Sequence, residues 1–416
     1  MKFLKTLNKF IIAIFYLLIF FLLVFLVYYI NTKDNKLTQE RREIKKIIKN
    51  VTLKQNILND YREVFLPKTQ FITLDINRHK IDVVKENECY VGSCYTFYIN
   101  AYKNNLFILD KKGNLFYINV NDFLNGEKNF KKINTHLNLD FVLDFYINNN
   151  SIYISGNRRI SDNKYKILIL KSSLKNLKKI EFKEIFKKED KKCINQNYHA
   201  GKIQHLEGDI NKGLLLTTPT LGEFDNPDHT ILSDDTICGK ILLINEETSN
   251  FEIFSKGFRN SIGLYSDKDL TLATDNGPMG GDEINKILPG SNYGWPVASY
   301  GDFYFKKKKD EKVNYKKSHE AYGYQEPIIS FVPSIGISEI EKLSNNFSNF
   351  WQDNFLFGSL NKKTLYRIKF DNSYNKVLFL EEIFVGDRIR DILYLENKQT
   401  ILLSLELRGE ILVIKR

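Results

Sequence analysis

The stretch Gly257–Trp295, GFRNSIGLYSDKDLTLATDNGPMGGDEINKILPGSNYGW, gathers more residues able to do chemistry than any other part of this chain. It opens with Arg259-Asn260, a fixed cation beside an amide. An apolar strand then leads to Asp275-Asn276-Gly277-Pro278 and on to Gly280-Gly281-Asp282-Glu283. Glycine and proline at that density force turns in which backbone carbonyls point inward at one place. Carbonyl and carboxylate oxygens so arranged suit a hard cation such as Ca²⁺. Arg259 would face the anionic part of whatever that cation holds, because a guanidinium meets carboxylate oxygens two at a time. Taken singly, these residues also fit a Gly-rich loop with Asp282 and Glu283 as solvated turn residues; the whole set in this order reads as a site. Further on, Arg388 and Arg390 alternate along one strand and so point to the same side.

Positioning such residues takes a rigid frame. From about residue 70 the chain shows apolar runs of four to eight residues separated by Asn, Gly, Lys and Asp turns. The unit strand, tight turn, strand, loop, strand recurs at Tyr98–Val120, Val142–Leu170, Ile203–Ile244, Ile262–Ile287, Phe355–Phe370 and Ile392–Ile414. Six such units predict an all-β, six-bladed β-propeller. Gln70–Ile76 or Lys80–Val84 would close the ring against Glu410–Ile414. A β-sandwich would need fewer strands and shows no such repeat.

Ahead of the propeller, Phe10–Ile30 is an unbroken apolar run long enough to cross a bilayer as a helix. Lys2, Lys5 and Lys9 precede it, and no small-residue cleavage site follows, so it reads as an uncleaved anchor. Basic residues also crowd the other flank, from Lys33 to Lys46, so charge bias alone does not decide the orientation. Lys36–Val64 has apolar residues at helical spacing and predicts a stalk. The expected organisation is a cytoplasmic segment 1–9, a transmembrane helix 10–30, a helical stalk or linker 31–67, and a propeller 68–416 in the periplasm.

The formal charge of +11 spread over 416 residues invites a nucleic-acid reading. The lysines are scattered through turns and strand edges, and no nucleic-acid-binding motif accompanies them, so nucleic acid is excluded as a partner. Four cysteines, an even count, suit an oxidising compartment, and their spacing excludes a zinc site. In a propeller Cys193 and Cys238 would each precede a strand of one blade and are expected to pair, as are Cys89 and Cys94; four free thiols are the open alternative.

The run from Gly257 resembles the signature of the PQQ-dependent aldose sugar dehydrogenases, the soluble quinoprotein glucose/sorbosone dehydrogenase type. Gly257, Arg259, Asn260, Gly263 and Leu264 match its first segment. Gly277, Pro278 and Asp282-Glu283-Ile284-Asn285 match the second, and Asn292-Tyr293-Gly294-Trp295-Pro296 the third. Pro333-Ser334-Ile335, Gly358-Ser359-Leu360 and Arg388-Ile389-Arg390-Asp391 resemble later blocks in the right order. The resemblance runs from about His199 to the C-terminus and implies the same six-bladed fold.

It also implies roles. His199, in Tyr198-His199-Ala200-Gly201-Lys202-Ile203, would be the catalytic base, since a neutral imidazole can take the proton of a sugar hydroxyl. Arg259, Asn260, Lys362, Arg388 and Arg390 would hold PQQ, and the Gly277 and Pro278 carbonyls its Ca²⁺. A second, structural Ca²⁺ would use Ala298, Tyr300 and Asp302. Three positions depart from the family pattern: Ile262 replaces a glutamine, Asn361 a lysine (with Lys362 next door), and Thr217-Thr218-Pro219 an acidic Gly-Asp. The resemblance implies a quinoprotein that oxidises a sugar or related polyol, and the apolar run at Phe10–Ile30 adds the expectation of a membrane-anchored, periplasmic one. The alternatives are a catalytically silent propeller that binds a glycan or protein partner, and a lactonase-like Ca²⁺ propeller. The latter lacks a clear Asp/Glu/Asn ligand ring.

Overall fold

Antiparallel pairing of neighbouring apolar runs gives six four-stranded sheets. The computed structural model describes residues 73–86, 93–161, 164–177, 180–190, 200–207, 212–220, 233–302 and 315–416. The innermost strands of the six blades are Phe97–Tyr102, Phe141–Asn148, Ile203–Leu206, Ser261–Ser266, Ile337–Lys342 and Ile389–Leu395. Each touches the next around a closed ring, and the last meets the first. This is the six-bladed all-β propeller that the repeat predicted. Its one α-helix among the described residues is the short Val120–Leu124. None of these residues forms a helix long and apolar enough to cross a membrane. The expected anchor, stalk and cytoplasmic segment lie outside the described residues.

A blade buries both faces only between two neighbours, so the core sits between blades. Leu215, Ile241, Leu243 and Phe254 of blade 3 pack on Leu264 and Ala273 of blade 4. Leu356 and Leu365 of blade 5 pack on Ile392, Leu403 and Leu412 of blade 6. Each fully buried aliphatic or aromatic side chain contributes about 1.5–3 kcal/mol from lost water contact.

The ring closes on Asp75–Lys80, which pairs antiparallel with Glu410–Lys415 as the outer strand of blade 6. This corrects the expected closing strands, which fell to either side of it. An outermost strand has one unpaired edge, so Asn77, Arg78 and His79 replace the apolar run that would have revealed it. The units of blades 1 to 5 were also read short, each by at least one strand. Blade 4 includes the distant strand Ile329–Phe331, and blade 5 begins at Ile337 and ends at Phe384.

The six inner strands enclose a buried charge cluster. Asp144 of blade 2 accepts from the Ile203 N–H of blade 3 at 2.8 Å, and Asp391 of blade 6 from the Ile99 N–H of blade 1 at 2.7 Å. Glu339 of blade 5 accepts from the Leu264 N–H of blade 4 at 3.4 Å. Register shifts at Val142/Asp144, Ile337/Ile340 and Ile389/Asp391 mark bulges that turn these carboxylates inward. The Lys202 ammonium, itself buried, pairs with both Asp144 and Glu339. Those carboxylates raise the lysine's pKa against the opposing effect of burial.

Removing that ammonium leaves two carboxylates buried without their counter-charge. Lys202→Met should therefore cost about 3–5 kcal/mol of stability in urea unfolding, far more than a surface lysine. A loss under about 1 kcal/mol would mean that the cluster does not hold the ring together.

Candidate functional site

In each blade the chain enters the inner strand, returns along the second, and turns into the third at the end where it started. Ser261 thus pairs with Asp275, Ile337 with Ser359, and Ile389 with Leu405. Arg259-Asn260 precede the blade 4 inner strand, and Gly277-Pro278 lie in that blade's second turn. Lys362 lies in the corresponding turn of blade 5. Arg388 and Arg390 open blade 6. All of these predicted residues fall at one end of the ring. His199 lies outside the described residues; Ala200, next to it, begins the approach to blade 3 at that same end.

Arg259 is buried. Its Nη1 donates to Asn276 O at 2.8 Å and Gly277 O at 3.0 Å, and its guanidinium lies 5.6 Å from the Trp295 ring centroid. Asp275 holds this corner by accepting from Arg259 N at 2.9 Å, Asn260 N at 2.7 Å and Ser261 Oγ at 3.1 Å. Burial pushes the Asp275 carboxyl up to about 6 despite those bonds. Asn260 turns its Oδ1 to the Ala200 N–H at 3.0 Å, tying the arginine corner to the segment that carries His199.

The Gly277 turn is tight: a Cβ at Gly277 would lie 2.1 Å from Gly281 O, so no side chain fits. Asp282 fastens it. Fully buried, Asp282 accepts from the N–H groups of Gly277 at 3.0 Å, Ile335 at 3.0 Å, Gly336 at 2.6 Å and Ile337 at 3.0 Å. It is a structural anchor rather than a solvated turn residue. Glu283 is buried as well, and burial together with the Asp275 charge raises its carboxyl well above the usual range. Arg259, Asp275, Gly277 and Glu283 line one small cavity with Trp295 and His319.

Arg388 and Arg390 do point to one side, and both meet Glu406. Its carboxylate accepts from Arg388 Nε at 3.2 Å and Arg390 Nε at 2.6 Å and is wholly buried. Arg388 Nη1 also donates to Leu360 O at 3.1 Å and reaches Asn361 Oδ1 at 3.5 Å, so the blade 5 and blade 6 contributions touch. Lys362 is exposed in that same blade 5 turn, its N–H donating to Ser359 Oγ at 2.9 Å.

The residues expected for a second cation lie behind the Gly277 turn. Met279 and Asp302 exchange backbone hydrogen bonds at 3.0 and 2.9 Å. Ala298 is buried, Tyr300 O lies 3.3 Å from the Lys317 ammonium, and Asp302 Oδ1 lies 2.8 Å from it.

Sequence reasoning missed Glu406 and Lys111. Both sit in turns, where a charge ordinarily reads as solvated. Burial, followed by the Arg390 charge, lowers the Lys111 pKa. A roomier cavity of about 700 Å³ lies at the opposite end of the ring beside His205, Glu207 and Glu246; it contains none of the predicted site residues. Cys94 and Cys238 are both disulfide-bonded, and no described cysteine is free. Their expected partners, Cys89 and Cys193, lie outside the described residues.

The described residues thus form a six-bladed propeller with a cation-rich end, a carbonyl-lined turn and buried carboxylates fixing both. The family model for Glucose / Sorbosone dehydrogenase matches residues 98–413, and the chain belongs to that family. Among curated proteins it is similar to aldose sugar dehydrogenase YliI of Escherichia coli (strain K12), 27% identical over 251 residues. That alignment covers 56% of this chain and 64% of that protein. It is also similar to quinoprotein glucose dehydrogenase B of Acinetobacter calcoaceticus, 36% identical over 98 residues, 20% of each chain. The chain thus spans less than two thirds of the length of these curated relatives. Among solved structures, the apo form of the soluble aldose sugar dehydrogenase from Escherichia coli superposes with a TM-score of 0.66 at 19% identity. That match covers 82% of this chain and 99% of that one, a likeness of fold.

Asp387 offers a pH handle on this end of the ring. Its Oδ1 accepts from Arg388 N at 2.7 Å and Leu407 N at 2.9 Å, while Oδ2 has no hydrogen-bond partner among the described residues. Burial pushes its carboxyl up to about 6. The unfolded carboxyl titrates near ~4, so the folded state binds the proton more tightly between those values. Its stabilising contribution is complete below pH ~4 and lost as pH rises through 6, a swing of about 3 kcal/mol. Asp387→Asn keeps the Oδ1 acceptor and should flatten the stability profile between pH 4 and 7. An unchanged slope would exclude Asp387 as its source.

Proposed function

We propose that the chain is a membrane-anchored periplasmic quinoprotein that oxidises a sugar or related polyol, with PQQ as cofactor and Ca²⁺ at the Gly277 turn. The observation that carries this reading is the gathering of Arg259, Asn260, Lys362, Arg388 and Arg390 at the end of the ring that also holds the Gly277-Pro278 turn. PQQ is a tricarboxylate quinone, and guanidinium, ammonium and amide groups are the donors a tricarboxylate needs. Membership of the glucose/sorbosone dehydrogenase family supports the same reading.

When bound, PQQ supplies a quinone able to accept two electrons, while the protein positions and charges the site. Arg388 and Arg390 would hold carboxylates, with Lys362 at the rim. Glu406 leaves the arginine pair one net positive charge and keeps both guanidiniums oriented when no ligand is present. Gly277 O accepts one bond from Arg259 and retains a second lone pair for a cation beside Pro278. His199 would take the hydroxyl proton of the sugar on a ring nitrogen. Asn260, bonded to Ala200 N, would hold that histidine's segment against Arg259.

A second reading has one observation in its favour. Glu406 already pairs both arginines, as it would in a catalytically silent propeller that binds a glycan or a protein. Titrating the purified full-length protein with PQQ and Ca²⁺, and following cofactor absorbance and dye reduction over a sugar panel, separates the two. His199→Ala should keep cofactor binding and lose about 10²–10⁴-fold in turnover. Arg390→Ala should weaken PQQ binding itself. Wild-type protein that binds neither PQQ nor Ca²⁺ would leave the silent propeller standing.

The periplasmic placement, with residues 1–9 cytoplasmic, 10–30 as anchor, 31–67 as stalk and 68–416 as propeller, draws on the apolar run and its flanking lysines. The bonded Cys94 and Cys238 support it, since disulfides persist in oxidising compartments. Protease added to spheroplasts should release the propeller; a protected domain would overturn this orientation.

A further inference from the structure

Two of the three residues expected to hold a second Ca²⁺, Tyr300 and Asp302, are engaged together with the intervening Gly301 by a side chain of this chain, while Ala298 is not. Lys317 Nζ donates to Asp302 Oδ1 at 2.8 Å, to Tyr300 O at 3.3 Å, and to Gly301 O. We infer that Lys317 is a built-in cation that takes the place of a structural metal ion behind the Gly277 turn, making that support metal-independent.

Donor number and charge both fit. An ammonium carries three N–H groups and here meets three oxygens, one of them a carboxylate. A divalent ion on the same oxygens would lie within contact distance of the ammonium, and two cations that close repel strongly. The two occupants therefore exclude one another.

The lysine's position is imposed by backbone rather than by a chance surface encounter. Ser299 N donates to Lys316 O and Lys316 N to Val297 O, each at 3.0 Å, an isolated bridge that holds the segment carrying Lys317 beside residues 297–299. Asp302 is clamped from the other side by its two backbone bonds to Met279, two residues beyond Gly277. The ammonium thus closes a frame whose far edge is the proposed cofactor turn.

The same segment also carries a buried histidine further in. His319, two residues on, places Nδ1 2.8 Å from Tyr293 O and Nε2 3.4 Å from Glu283 Oε1, in a fully buried setting. Only the Lys317 contact carries a charged donor onto these oxygens: burial lowers the His319 pKa, and its Nε2 makes no hydrogen bond among the described residues.

The test needs no PQQ and stands apart from the oxidoreductase reading. Full-length wild type and Lys317→Ala, each checked for folding by circular dichroism, are melted with and without millimolar Ca²⁺. Tyrosine-sensitised Tb³⁺ emission is recorded in parallel. Lys317 is 49% exposed and Asp302 71%, so the lysine's loss alone should lower the melting point by only about 1–2 °C. Lys317→Ala should then gain a Ca²⁺-dependent rise of about 1–3 °C and Tb³⁺ emission, both abolished by adding Asp302→Asn. Wild type should show no Asp302-dependent response. Two results overturn the inference. One is a wild-type Ca²⁺ stabilisation that Asp302→Asn removes, which would make the metal resident and the lysine displaceable. The other is a Lys317→Ala protein that gains no metal response, which would reduce the contact to an ordinary surface ion pair.

Discussion

Six sheets meeting at one axis bring six strand edges, with their backbone groups, into a space too narrow for water to serve freely. The chain meets this constraint with carboxylates. Asp144, Glu339 and Asp391 each accept an N–H from a neighbouring blade, which couples the blades pairwise across otherwise apolar seams. Carboxylates in that setting are costly unless compensated, and burial accordingly raises the pKa of Asp391 and Glu339. Lys202 provides the compensating charge for Asp144 and Glu339 together. Its partners come from blades 2 and 5 while its own backbone leads into blade 3, so one ammonium ties three blades together across the axis.

The same device builds the candidate site one layer outward. Asp275, Asp282 and Asp387 are buried carboxylates whose main partners are backbone N–H groups, and each sits where a chain segment enters an inner strand. Between them they set the position of Arg259, the Gly277 turn and Arg388. The cationic face is therefore held from beneath by anions, which lets several positive groups lie at one end of the ring without mutual repulsion opening it. Glu406 extends the pattern to Arg388 and Arg390. A tricarboxylate arriving there would meet a frame already oriented, so little ordering would remain to oppose binding.

The propeller and the arginine corner were legible in the sequence because both rest on local signals. Strand-length apolar runs count the blades, and Gly277 with Pro278 announces a turn that no other residue types make as readily. What could not be read rests on partners distant along the chain. Glu406 meets arginines 16 and 18 residues before it. Lys202 meets Asp144 at a separation of 58, and nothing in Gly201-Lys202-Ile203 says that this lysine is buried. The closing strand Asp75–Lys80 was misplaced for the opposite reason: its outer edge is wet, so its residues carry loop-like polarity. Lys317 reads as one more lysine in a lysine-rich connection.

The three departures from the family pattern acquire physical meaning in this setting. Ile262 is buried in the blade 4 inner strand, where an apolar side chain needs no hydrogen-bond partner. Asn361 reaches Arg388, so it supports a cation instead of adding one, and the adjacent Lys362 keeps an ammonium in the turn. Thr217 does most. Its Oγ1 accepts from Gly201 N and Lys202 N, both at 3.0 Å, and donates to Ser261 O at 2.9 Å, knotting the segment after His199 to the segment after Arg259. A single hydroxyl there uses both acceptor lone pairs and its donor. Where the family pattern has an acidic Gly-Asp, this chain thus has a neutral group that fastens backbone to backbone. The substitution removes negative charge from the end of the ring that the arginines occupy. It shifts the local charge balance toward anion binding, while the bonds from Gly201 and Lys202 to Thr217 hold the backbone that leads into blade 3.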